Sequence, residues 1–137
     1  MGAPVRSPVD GEVISVMNEF PDNPLGLRHE RNPAGNHVVI KAGGDRYVLL
    51  AHFQHRSIVV KPGQRLRRGD PLGKCGNSGN SGNSDFPHIH MHVQDTPVLN
   101  EGTGHNMVFA GIDVELNGKQ FRGVDWPLMR GLFVSMQ

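Results

Sequence analysis

The 137-residue chain has one cysteine, Cys75, so no disulfide can close within it. That residue reads as a small apolar side chain ahead of a turn, not as a nucleophile. No apolar run approaches the ~20 residues needed to span a bilayer, so no membrane partner is expected. Charge has no dominant sign, with 14 Lys and Arg against 13 Asp and Glu. The basic stripe of a nucleic-acid binder is missing too. The only basic cluster, Lys61 to Arg68, holds a Pro62-Gly63 turn and reads as a solvated hairpin, so no nucleic acid is expected either. No charged segment followed by an apolar stretch opens the chain, so no leader peptide is expected. The chain then either works unexported or begins inside a longer protein. Glycine and proline interrupt every stretch long enough for an amphipathic helix, so no helix is expected.

Gly 18 and Pro 10 are abundant instead, without the period of three that collagen requires. Short apolar runs (His37–Ile40, Tyr47–Leu50, Ile58–Val60) lie between turn residues, and that spacing predicts an all-β domain. A strand from Pro4, a turn at Asp10-Gly11 and a strand over 12–16 open the chain. Residues 18–36 hold Pro21, Pro24 and Pro33 and read as one long loop, functional or mobile. A hairpin follows, with strands 37–41 and 46–53 joined through Gly43-Gly44-Asp45. Another short strand is expected over 57–61. Residues 76–84 repeat Gly-Asn-Ser three times and read as a surface loop. Near the end, Asn117-Gly118 between 112–116 and 119–124 suits a two-residue hairpin turn. Trp126-Pro127-Leu128-Met129 reads as a packing clasp.

Eight histidines are the chemically suggestive part of the composition. Residues 87–93 alternate polar and apolar, as a half-buried strand does. His88, His90 and His92 would then share one face at intervals of ~7 Å, with Ile89, Met91 and Val93 on the other. A solvent-facing stripe of histidines fits this pattern as well as a metal or acid–base site does. Another histidine, His52, ends the run Leu49-Leu50-Ala51.

Five segments in order resemble the lysostaphin- and LytM-like zinc metallopeptidases: 2–13, Ala51-His52, 60–73, Gly76–Ser81, and Pro87-His88-Ile89-His90. The resemblance covers roughly residues 2 to 95 and implies antiparallel β-sheets in a barrel-like sandwich of the duplicated hybrid motif type. It divides the chain into a metallopeptidase core, 1–95, and a C-terminal hairpin extension, 96–137, packed on the same domain. It implies zinc as the cofactor and a peptide, from peptidoglycan or elsewhere, as the substrate. The family is usually exported to the periplasm or cell envelope. Carried over by position, His90 looks like a zinc ligand, and His88 and His52 like the catalytic histidines.

The family also carries a His and an Asp ligand upstream of its Pro-Val stretch, where this sequence has only Met1-Gly2-Ala3. With three protein ligands the usual complement of a catalytic zinc, binding is expected to be weak or absent and catalysis impaired or lost. The alternative is a non-catalytic module that binds peptide or peptidoglycan, or regulates a partner. Among substitutes for the missing ligands, His92, His29 and His37 are the candidates; His55 and His105 sit in no recognisable motif, and Asp10, the nearest upstream carboxylate, reads better as part of a turn. A missing first strand would leave a sheet edge open, and pairing through that edge predicts a homo-oligomer.

Overall fold

Alternation with period two builds most of the chain, as a computed structural model that describes residues 1–24, 31–79, 86–99, 101–116, 118–127 and 133–135 shows. Eleven strands and no helix occur among the described residues. They are β1 (Pro4–Arg6), β2 (Gly11–Met17), β3 (His37–Gly43), β4 (Arg46–Ala51), β5 (Arg65–Leu66), β6 (Pro71–Lys74), β7 (His90–Gln94), β8 (Gly104–His105), β9 (Phe109–Leu116), β10 (Lys119–Trp126) and β11 (Phe133–Ser135). The chain is all-β with antiparallel pairing, as the sequence indicates. It divides into two compact units, Met1–Gly104 and His105–Gln137.

In the first unit a six-stranded sheet runs in the order β5-β2-β3-β4-β7-β8. The hairpin β3–β4 turns at Gly43 and Gly44, whose φ of 118° and 51° are open to glycine at little steric cost. One face of this sheet carries Val13, Val38, Ile40, Val48 and Leu50 into a buried cluster completed by Phe53, Ile58, Val60, Leu66 and Leu72. Val16, Met91 and Val93 pack against it from the same strands.

Three sequence expectations change here. β1 and β2 do not form a hairpin: β1 pairs with β6 in a separate two-stranded sheet. Gly11 is instead the first residue of β2, where a Cβ would strike the Lys41 carbonyl and Ile40. Asp10 accepts a hydrogen bond from the Arg68 amide at 2.6 Å. Residues 57–61 keep the alternation, with Ile58 and Val60 buried and Val59 exposed, but join no ladder. Strand β7 starts at His90, not at 87, because its partner β4 ends at Ala51, opposite His90.

The largest revision concerns the Gly-Asn-Ser repeat. Its first triplet, Gly76 to Ser78, is buried, with Asn77 at 1% and Ser78 at 0% exposure. Gly76 lies against the Gln54 backbone, and Gly79 and Gly35 meet backbone to backbone, so none of the three has room for a Cβ. Residues 80–85 lie outside the described residues, as do His29 and, of the clasp expected at 126–129, the Trp126 side chain, Leu128 and Met129.

In the second unit β9 lies between β10 and β11. Leu116 pairs with Lys119, which leaves the two-residue connection expected at 117–118, with Gly118 at φ 75°. Among the described side chains of this unit, Ile112 and Val114, each 2% exposed, are the buried ones.

Candidate active site

The ladder places residues across the sheet before any side chain is considered. Met17 pairs with His37, His37 with Ala51, and Ala51 with His90. Directly paired residues point to the same side, so these four share the face opposite the core. By the same alternation His52 would follow Leu50 toward the core. It does not, because its φ is 67°. That left-handed backbone, costing a non-glycine residue about 1–3 kcal/mol, turns the imidazole out of the strand's alternation. The ring then stands 5.1 Å from the His88 ring and 6.1 Å from the His90 ring, centroid to centroid.

Three hydrogen bonds hold the strained residue. Its amide donates to the Ala34 carbonyl at 3.2 Å, and its carbonyl accepts from the Gly76 amide at 2.9 Å. Its Nδ1 lies 2.9 Å from the Ser78 carbonyl. A carbonyl only accepts, so Nδ1 carries the hydrogen and Nε2 is left as the acceptor of the neutral ring. Burial is the main reason that the His52 pKa falls to about 4, with further lowering by His88 and His90 and partial opposition from the Ser78 bond. The ring is therefore neutral near pH 7 and offers a basic nitrogen.

The Ser78 carbonyl is itself fixed by a buried polar network. The Ser78 hydroxyl donates to the Phe53 carbonyl at 2.8 Å and accepts from the Asn36 amide at 2.9 Å. The Asn36 side chain in turn binds both the amide and the carbonyl of Phe20, at 2.8 and 2.7 Å, and the Phe53 carbonyl at 3.1 Å. Asp22 takes the Asn77 amide at 2.6 Å and the His55 amide at 3.1 Å. So the described parts of the proline-rich loop are pinned by side chains beneath the histidines. Asn36 was marked by no pattern in the sequence, and Ser78 entered only within the Gly-Asn-Ser repeat, which read as surface. The one available signal is that each sits in a Gly-flanked polar pair, Gly35-Asn36 and Asn77-Ser78-Gly79.

His52, His88 and His90 are thus brought together. His88 precedes β7, with its Nδ1 3.1 Å from the Phe86 carbonyl. His90 opens β7, and its ring lies 5.2 Å from that of His92. Burial lowers the His90 pKa, and His92 and His88 lower it further. His37 lies in the same row two strands away, its Nδ1 donating to the Gly35 carbonyl at 2.8 Å. It borders an open cleft of about 290 Å³ walled by Met17, Phe20, Arg31, Pro33 and Leu99. The His55 amide is bound by Asp22, and His105 belongs to the second compact unit.

Imidazole nitrogens suit zinc, but the arrangement does not complete a site. Among the described residues no group of three or more His, Cys, Asp or Glu side chains is placed to hold a metal ion. The donor set as it stands does not fit a zinc held by three protein ligands.

A family profile, Peptidase family M23, matches residues 1–103. The matched span ends beside the boundary between the two compact units. Among solved structures, the chain is similar to a catalytic-domain mutant of the prophage-encoded M23 protein EnpA from Enterococcus faecalis, at 23% identity and TM-score 0.56, covering 77% of this chain and 67% of that one. It is similar to a zinc-containing peptidase from Vibrio cholerae at 32% identity and TM-score 0.50, covering 67% of this chain but only 23% of that protein. A third likeness is to the catalytic domain of the antimicrobial peptidase lysostaphin from Staphylococcus simulans, at 19% identity and TM-score 0.52, covering 70% of this chain and 62% of that one. The chain thus spans less than two thirds of the latter two.

Proposed function

The chain belongs to peptidase family M23, whose members act on peptidoglycan peptides, and on that premise we propose that it binds such a peptide over its histidine-bearing sheet face and hydrolyses it slowly or not at all. The observation that carries the reading is His52: buried to 6% exposure, strained, neutral, and held so that Nε2 is its basic nitrogen beside His88 and His90. A fold spends strain and burial on a side chain where chemistry or binding uses it.

In this reading His52 takes a proton through Nε2 while the Ser78 carbonyl holds Nδ1–H, so the ring keeps its orientation when it gains charge. His88, the next ring in the cluster, is the second proton carrier of this reading. His90 is the residue that would bind zinc, the metal implied by the family and named in the Vibrio cholerae neighbour. Zinc supplies polarisation of the scissile carbonyl and an activated water wherever it is bound. Among the described residues His90 is the one ligand that the resemblance supplies, which supports low zinc affinity and slow turnover as the reading to test. The cleft beside His37 and Phe20 receives a side chain of the peptide.

The test is metal content by mass spectrometry after zinc addition and desalting, with hydrolysis and binding of purified peptidoglycan fragments followed in parallel. The reading requires zinc well below one equivalent and fragment binding that His52→Ala weakens. One equivalent of zinc with rapid, chelator-sensitive cleavage would replace it with a fully active peptidase. A second reading, a purely non-catalytic binding module, draws on the incomplete donor set. It requires binding unchanged by chelation and no cleavage at any zinc concentration.

A further inference from the structure

The histidine alternation does not stop at His92. Gln94 continues it on the same face of β7 and is 6% exposed, though an amide at that depth has no packing reason to be polar. Its Nε2 donates to two carbonyls, Thr96 at 2.8 Å and Val98 at 2.7 Å. Both amide hydrogens are thereby used, which fixes the orientation of the group and turns Oε1 toward His92. His92 Nε2 lies 2.8 Å from that oxygen. An amide oxygen only accepts, so Nε2 of His92 carries the hydrogen and Nδ1 of the neutral ring accepts. His90 Nε2 lies 3.0 Å from that Nδ1. It follows that His90 carries its hydrogen on Nε2 and has none on Nδ1.

We infer that Gln94 and His92 are positioning residues, a relay running from the Thr96 and Val98 carbonyls that selects the tautomer and fixes the ring orientation of His90. The relay gives His90 the tautomer opposite to that of His52, whose hydrogen sits on Nδ1. The nitrogen left as acceptor therefore differs between the two imidazoles, Nε2 in His52 and Nδ1 in His90. Both nitrogens of His92 are used within the relay, which removes it from the candidates for a substitute ligand. An imidazole that ligates or transfers a proton works through one defined nitrogen, and a partner on the other nitrogen is what defines it. The inference deepens the proposed function, since its use depends on His90 belonging to the site, but the tautomers themselves do not depend on hydrolysis or on metal.

The experiment is a set of long-range proton–nitrogen correlation spectra of the nitrogen-15-labelled chain at pH 8 with chelator present. The parent should show His90 and His92 each in one tautomer with hydrogen on Nε2, and His52 with hydrogen on Nδ1. In Gln94→Leu the His92 and His90 signals should shift to averaged, mixed-tautomer positions. His92→Phe cuts the relay while leaving the Gln94 bonds to Thr96 and Val98 in place, so His90 alone should become mixed there even if Gln94→Leu fails to fold. Hydrogen on Nδ1 of His90 in the parent, or parent-like His90 signals in both Gln94→Leu and His92→Phe, would overturn the relay whether or not the chain proves to be a peptidase.

Discussion

The two faces of the six-stranded sheet obey one alternation and carry opposite contents. Val16, Val38, Leu50 and Met91 form a paired row that packs the core, and one residue further Met17, His37, Ala51 and His90 form the row bearing the histidines. The first row is stabilised by apolar burial alone. On the second, buried polar groups are tolerated because each has a fixed partner, such as His37 with Gly35 and Gln94 with Thr96 and Val98. Substitutions on the two faces should therefore fail differently, one in stability and the other in chemistry.

His52→Ala should show the largest effect. Any hydrolysis of peptidoglycan fragments should fall by about 10²–10⁴-fold, the usual contribution of a positioned acid–base group. Its cost in stability should stay below about 2 kcal/mol, since a single neutral hydrogen bond is lost. Leu50→Ala, 3% exposed on the core face, should do the reverse. Urea unfolding should register a loss of about 2–5 kcal/mol, with fragment binding by the folded fraction unchanged. If the two variants lost stability equally, the division between faces would be wrong.

Asn36→Ala should fall between these extremes, at about 2–3 kcal/mol, because the backbone groups of Phe20 and Phe53 lose their buried partner. The Asn36 main-chain amide still donates to the Ser78 hydroxyl after this substitution, so the Ser78 carbonyl that orients His52 should keep its place. Stability that survives this change intact would mean that the polar network does not hold the loop.

These expectations show where the sequence was legible and where it was not. Alternation marks the core face and His90–His92, and Gly43-Gly44 and Asn117-Gly118 mark the two hairpins, because those signals are local. The depth of Gly76–Ser78 is not local. Polar composition reads as surface, yet Asn77 and Ser78 are buried because their partners, Asp22, Asn23 and Asn36, come from about 40 to 55 residues away. The pairing of β1 with β6 is equally remote, and Asp10-Gly11 imitated a hairpin turn while serving a close backbone approach. His52 was legible as a residue but not as a conformation: nothing in Leu50-Ala51-His52 announces a positive φ.

Acid should act through the same buried rings, with a smaller effect. His52, His37 and His90 all have pKa values lowered below the ordinary 6.5, chiefly by burial, and that of His52 falls to about 4. Between these values the unfolded chain binds more protons than the folded one, so stability rises with pH. The contribution should be complete above about pH 6.5 and lost progressively as pH falls toward 4. Urea midpoints measured from pH 7.5 down to 4.5 should show this slope, and His52→Gln should flatten it. A midpoint independent of pH across the window would place these rings in water.

The smallest effect is also the sharpest test of the boundary between the faces. At an ordinary strand position alanine is more stable than glycine by roughly 0.5–1 kcal/mol, because glycine loses more backbone freedom on folding. At position 52 the order should invert. His52→Ala and His52→Gly both lose the bond to Ser78, but only alanine keeps a Cβ in the left-handed region, where it costs about 1–2 kcal/mol. His52→Gly should therefore unfold at a higher urea concentration than His52→Ala, by a margin equivalent to about 0.5–1 kcal/mol. Alanine proving the more stable would mean that His52 continues the strand, and a regular strand at that position would send its ring into the core with Leu50, away from His88 and His90.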